Sequence, residues 1–173
     1  NGSINGDDRN FSGQSVPVYF GSLSNTFKYS GFDFVVFLTY AGGHKINNSL
    51  NRFLNSYNTW GNMSEEYYNN YWRLDRPSNI YPKPRPGSPY ANGDGTDANL
   101  QDGKYLRVKN IEFGYTLPNH ISKTIKSSNI RCYFAVQNLH TFTAFTGFDV
   151  ESFDNTNPYP AARGYIGGLS INF

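Results

Sequence analysis

The chain has 173 residues, 38% of them hydrophobic, and a formal net charge of +2. It offers no run of about 18 apolar residues to cross a membrane as a helix. Its 15 basic residues are scattered rather than clustered, which argues against a nucleic-acid surface. A single cysteine, Cys132, excludes an intrachain disulfide framework. The outlying figure is an aromatic content of 17%, with 14 Tyr and 14 Phe. Such rings suit the boundary between hydrocarbon and water, and equally the face of a secreted sugar-binding sandwich.

The first residues, Asn1-Gly-Ser-Ile-Asn-Gly-Asp-Asp8, form a polar loop with no initiator Met or apolar leader, as expected of a fragment or processed piece. A first strand is expected near 18–29, with Tyr19, Leu23, Phe27 and Tyr29 on one face and Ser22, Ser24 and Thr26 on the other. Ser30-Gly31 is a two-residue turn signal, so a second strand over 32–41 follows as its hairpin partner. That strand places Phe32, Phe34, Val36, Leu38 and Tyr40 on one face.

A long loop over 42–103 comes next. Short helices are expected over 47–57 and 64–74, the second opened by Ser64 as N-cap with Glu65 and Glu66 in its first turn. Pro77, Pro82, Pro84, Pro86 and Pro89 then impose an extended path. The stretch Asn92-Gly-Asp-Gly-Thr-Asp97 has a faint calcium-loop character but lacks a suitably spaced bidentate Glu, so it reads as a solvated turn.

A third strand is expected over 104–116, with an inconsistency of faces. Leu106 and Val108 share one side, whereas Ile111, Phe113 and Tyr115 share the other with Arg107 and Lys109. Either a bulge near Asn110 swaps the faces, or Arg107 and Lys109 sit at a membrane rim. About a dozen residues lead to a fourth strand over 130–139, which sets Ile130, Cys132, Phe134 and Val136 against Arg131, Tyr133, Ala135 and Gln137. A second long loop covers 140–162. The fifth strand, 164–173, carries Tyr165, Leu169, Ile171 and Phe173 on one face and mostly small or polar residues on the other.

Strands that are apolar on one face and polar on the other, joined by alternately short and long connections, fit an antiparallel transmembrane β-barrel. Short links would lie on the periplasmic side with Phe173, and the loops 42–103 and 140–162 outside. Arg131, Tyr133 and Gln137 are then expected to face the lumen or a plug within it. Five strands cannot close a membrane barrel, which takes about eight or more. Further strands must come from elsewhere, because open edges in lipid cost several kcal/mol per unpaired group.

Catalytic signals are weak. His44, His120 and His140 are far apart, and no Ser/His/Asp order or nucleotide-binding glycine motif occurs. Glu65-Glu66 reads better as a helix start than as an acid/base pair. No enzyme activity, cofactor or metal is expected. Tyr57, Trp60, Tyr71, Trp72 and Tyr81 are the candidate contacts for substrate or a covering protein. Their bland alternative is a small core internal to the loop, which the i, i+3, i+4 spacing of Tyr67, Tyr68, Tyr71 and Trp72 favours.

Four stretches carry a family resemblance. They are Asp102-Gly-Lys-Tyr-Leu-Arg-Val-Lys-Asn-Ile-Glu-Phe-Gly-Tyr-Thr-Leu-Pro118, Ile130-Arg-Cys-Tyr-Phe-Ala-Val-Gln-Asn-Leu139, Thr146-Gly-Phe-Asp-Val-Glu151, and Tyr159-Pro-Ala-Ala-Arg-Gly-Tyr165 running into Phe173. In this order they resemble the C-terminal region of SusC/RagA-type TonB-dependent outer-membrane transporters, and Tyr29-Ser-Gly-Phe-Asp33 fits the family's preceding hairpin. One departure is Val150, where the family usually has proline.

The resemblance implies the last five strands of a barrel of about 22 strands, the size class with a plugged lumen. The plug would not be part of this chain. It implies uptake of oligosaccharides or peptides, in a Bacteroidetes-type outer membrane, with a SusD-like surface lipoprotein. The TonB complex would act through a missing N-terminal region. The other implied partners are the remaining strands, the plug and outer-membrane lipids, with no nucleic acid. Tyr165, Leu169, Ile171 and Phe173 would form the barrel-assembly signal. The alternative reading is a secreted all-β carbohydrate-binding module.

Overall fold

A computed structural model describes residues 6–55, 62–85, 97–124, 126–152 and 159–173. The chain divides into two compact units. One is a sheet built from Pro17–Gly43, Lys104–Ala144 and Pro160–Phe173. The other is assembled from Asn1–Val16, His44–Gly103 and Phe145–Tyr159.

The sheet unit contains β1 (Tyr19–Tyr29), β2 (Phe32–Gly42), β5 (Tyr105–Thr116), β6 (Asn129–Thr143) and β7 (Gly164–Asn172). They lie side by side in chain order, every neighbouring pair antiparallel. Ser30 and Gly31 both adopt positive φ, 47° and 86°. That is the primed hairpin turn whose twist matches antiparallel strands, and it requires a glycine or a small polar residue.

Register settles the awkward third strand. Phe37 pairs with Asn110 and Leu38 with Val108, so Lys109 is an extra residue facing β2. Across β6, Val108 pairs with His140 and Asn110 with Gln137, leaving Asn138 and Leu139 opposite the same point. Asn138 takes a positive φ of 51° there. Of the two expectations, the bulge is the one found, one residue from the position anticipated. It brings Leu106 and Val108 onto the face of Ile111, Phe113 and Tyr115, and Arg107 onto the face of Glu112.

β6 continues to Thr143, past the end at 139 anticipated from alternation. The bulge at Asn138 breaks the period of two, so the strand looks finished where it only changes phase. The link before it is also more structured than a plain turn. It holds α3 (Asn119–Thr124), whose first turn hydrogen-bonds to the Pro118 carbonyl through Ile121 N at 3.0 Å. Its far end is tied to β7, because the Asn172 carbonyl accepts from Ser127 Oγ at 2.6 Å and Ser128 N at 2.7 Å.

The second unit contains β3 (Lys45–Asn47) paired with β4 (Leu100–Asp102), α1 (Ser49–Leu54) and α2 (Glu65–Asn70). Both helices are shorter than the sequence suggested. Six residues give barely more than one cycle of hydrogen bonds, so caps and packing rather than propensity hold them. The Asn48 side chain caps α1 by accepting from Asn51 N, and Ser64 Oγ caps α2 by accepting from Tyr67 N, both at 3.0 Å. Asn48 is almost completely buried and also donates to Gln101 at 3.3 Å and Thr146 at 3.1 Å. Gln101 in turn accepts from Thr146 N at 3.0 Å. One amide thus binds α1, β4 and the segment after β6 into one body.

Candidate functional site

The two faces of the sheet differ in chemistry. One carries Leu23, Phe27, Phe34, Leu38, Leu106, Phe113, Phe134, Val136, Tyr165, Leu169 and Ile171, in pairs aligned across all five strands. Phe27 and Leu169 are each 60% exposed and Phe134 50%. A soluble monomer rarely leaves a contiguous apolar patch larger than a few hundred Å². Here the patch runs the full width of the sheet, the surface a hydrocarbon layer would cover.

The opposite face is polar and cross-linked by charge. Arg131 on β6 reaches over β5 to Asp33 on β2, with Nε donating to Asp33 Oδ1 at 3.0 Å and Nη2 to Oδ2. The same Nη2 donates to Glu112 Oε1 at 2.7 Å. This bridge passes over Gly114, where a Cβ would stand 2.6 Å from each Asp33 carboxylate oxygen and collide with the guanidinium. Tyr133 makes a second such crossing, its ring lying over Gly168 of β7 with the Arg131 guanidinium 5.3 Å from its centroid. Arg107 is buried on this face and donates to Thr141 Oγ1 at 2.8 Å.

Arg131, Tyr133 and Gln137 therefore share the polar face, Gln137 opposite Asn110. Sequence reading missed Asp33 and Glu112, whose only available signal was that each is the acidic residue at a polar-face position of its strand. Tyr165, Leu169 and Ile171 lie on the apolar face, and Phe173 follows β7, 90% exposed.

In the second unit the aromatic cluster centres on Tyr67, which is fully buried. Its ring lies 5.7 Å from Tyr71 and 5.4 Å from Tyr81. Tyr71 and Tyr81 are joined by a parallel bridge, and Trp72 N donates to the Tyr81 carbonyl at 3.0 Å. The Arg73 guanidinium sits 4.7 Å from the Tyr71 ring centre. Tyr81 donates its hydroxyl to Glu66 Oε1 at 2.7 Å. Burial first, then that carboxylate, pushes the Tyr81 hydroxyl well above the ordinary tyrosine range.

The helical spacing of Tyr67 and Tyr71 thus serves packing, while Trp72 and Tyr81 also line an open cleft of about 410 Å³ with Ser78, Ile80, Lys83 and Arg85. Tyr57 and Trp60, named with them as candidate contacts, lie outside the described residues, as does 92–96 of the calcium-like stretch. Lys83 and Arg85 were not singled out from sequence, where each is one cation among prolines.

No family model matches the chain. It is 29% identical, over its whole length, to the TonB-dependent receptor P3 of Formosa agariphila, covering 18% of that protein. It is 35% identical over 81 residues to the TonB-dependent receptor SusC of Bacteroides thetaiotaomicron, covering 45% of this chain and 8% of SusC. Among solved structures, 99% of the chain superposes on 19% of a chain of the RagAB peptide transporter, with TM-score 0.80 and 22% identity. The open-open state of the RagAB peptide importer gives TM-score 0.77 at 23% identity. The chain thus spans a fifth or less of the length of these relatives. The sequence likeness to a TonB-dependent receptor runs the length of the chain, and the fold is that of part of a RagAB transporter chain.

Proposed function

We propose that the chain is the C-terminal part of an outer-membrane importer that takes up oligosaccharides or peptides together with a SusD-like surface lipoprotein. The observation that carries this reading is the two-faced sheet. An apolar wall five strands wide needs lipid, and a polar face bridged by Asp33, Glu112 and Arg131 suits a water-accessible lumen. A secreted sugar-binding module is disfavoured by the same wall, which would be left in water.

In this reading the Ser30-Gly31 turn, the 117–128 link and Phe173 are periplasmic, and the second unit is extracellular. The polar face, with Arg131, Tyr133 and Gln137, meets the plug, and Tyr165, Leu169, Ile171 and Phe173 are presented to the assembly machinery. Energy coupling through TonB would reside in other parts of the transporter. The role is binding and passage of solute rather than chemistry, in keeping with relatives that are receptors and transporters.

The test uses the full-length protein in its own membrane. It should fractionate with the outer membrane and migrate differently on gels before and after heating. Removing residues 47–92 should leave that migration intact while abolishing solute uptake. A full-length protein found in the soluble fraction would overturn the assignment, and unchanged uptake by the deletion variant would remove the role of the second unit.

A further inference from the structure

The cleft beside Trp72 has a composition that its surroundings do not explain. The chain as a whole carries a net charge of only +2, yet residues 73–85 hold Arg73, Arg76, Lys83 and Arg85 against the single acid Asp75. Arg73 is engaged with the Tyr71 and Tyr68 rings, and Arg76 Nη2 donates to the Tyr68 carbonyl at 3.4 Å. Those two cations hold the aromatic cluster together. Among the described residues, Lys83 and Arg85 make no such contact. Both are exposed and line the cleft, and neither makes an ion pair among the described residues. Structure therefore accounts for half of the positive charge, and the other half faces an open cavity.

The rest of the lining narrows the ligand. Trp72 and Tyr81 are half-buried, and backbone pairing between their segments sets the two residues side by side along the cleft wall. Tyr81 is further pinned through its hydroxyl to Glu66. Aromatic planes suit the apolar face of a sugar ring, and neighbouring cations suit an acidic substituent on it. An extended peptide captured by strand addition would need a row of backbone donors along the wall. Pro82 and Pro84 remove alternate N–H groups from the lining segment, which disfavours that mode. Prolines also fix φ on either side of Lys83, which holds the two cations on one stiff strip.

We propose that this cleft binds an acidic oligosaccharide, with a sugar ring against Trp72 and Tyr81 and its carboxylate or sulfate group against Lys83 and Arg85. The inference deepens the importer reading and rests on it for the ligand's arrival at an outer-membrane protein. It names the ligand class that the second unit selects, which the barrel does not.

The experiment measures calorimetric binding to the purified full-length transporter in detergent. The probes are an oligogalacturonate for carboxylate, a sulfated galactan oligomer for sulfate, a maltooligosaccharide of equal length as the neutral control, and a Glu-rich peptide. At least one acidic oligosaccharide should bind more tightly than the neutral one, and more weakly as salt is raised. Replacing both cations, Lys83→Gln with Arg85→Gln, should weaken that binding roughly tenfold, the size expected for losing charge-assisted contacts in a half-open cleft. Trp72→Ala should weaken it while leaving the salt dependence in place. Equal binding of neutral and acidic oligomers, no effect of the double substitution, or binding of the peptide alone would each overturn the proposal. Heat-modifiable migration of every variant shows that the barrel has assembled. A failure of binding with that migration intact sinks the ligand class and leaves the importer reading standing.

Discussion

Gly114→Ala tests whether the polar face is organised by the Asp33–Arg131 bridge. The added Cβ would stand 2.6 Å from both Asp33 carboxylate oxygens, closer than real side-chain carbons approach, and against the Arg131 guanidinium. Arg131 is long enough to retract, but Asp33 is short and fixed to β2, so the pair must open. Their side chains are only 26% and 15% exposed. The loss therefore falls between an exposed pair, about 0.2–1 kcal/mol, and a buried charged hydrogen bond, about 1.5–3 kcal/mol. Against it stands about 0.4–1 kcal/mol gained by removing a flexible glycine from the unfolded chain.

Taking the loss as about 1–2 kcal/mol between those limits, the expected net destabilisation is about 0–1.5 kcal/mol. The assay is urea unfolding of the full-length barrel refolded into detergent, followed by the heat-modifiable gel shift. The informative arm repeats Gly114→Ala in a background carrying Asp33→Ala and Arg131→Ala. With no bridge to obstruct, the alanine should become neutral or slightly stabilising. An unchanged cost in that background would show that the glycine serves some purpose other than passage of the bridge.

Ser64→Ala removes the cap of α2 and should destabilise that helix by about 1 kcal/mol, read as faster amide exchange at Tyr67 and Tyr68; unchanged exchange would count against the cap. Tyr81 should titrate above the usual tyrosine value of about 10. A raised phenol pKa contributes stability that is complete below the ordinary value and lost as pH climbs through the shifted one, so an ultraviolet titration compared with Tyr81→Phe should lose one late-ionising tyrosine. Loss of an ordinary one instead would show that Glu66 and burial do not hold the proton. Phe173→Ser should slow appearance of the heat-modifiable form in cells without altering its final stability, since the ring is exposed and beyond the last strand; normal kinetics would remove its signalling role.

The strands were legible because alternation is a local property, written into each segment by the pleat. Ser30-Gly31 was legible for the same reason, as a turn whose two residues state their own geometry. What escaped was set by neighbours. The bulge at Lys109 depends on how Phe37, Leu38, Gln137 and His140 line up across three strands, which no window on β5 contains. The Arg131 bridge joins residues 98 and 19 positions apart, and only the register brings them together. In the second unit, the aromatic spacing gave Tyr67 and Tyr71 as a packed pair. Tyr81 joined them through a bridge from the proline-rich segment, which has no periodic signal to read.

The buried Asn48 amide constrains any exchange of parts between this chain and its relatives. Its bonds to Gln101 and Thr146 mean that the stretch after β6 is not an independent loop, nor is the stretch between β2 and β5. Grafting either alone would leave a desolvated amide facing a foreign surface, at a cost of about 1–3 kcal/mol for each orphaned group. The natural unit of exchange is the discontinuous set Asn1–Val16, His44–Gly103 and Phe145–Tyr159, moved together. Chimeras cut at those boundaries should inherit ligand preference as a whole, and those cut within them should inherit misfolding.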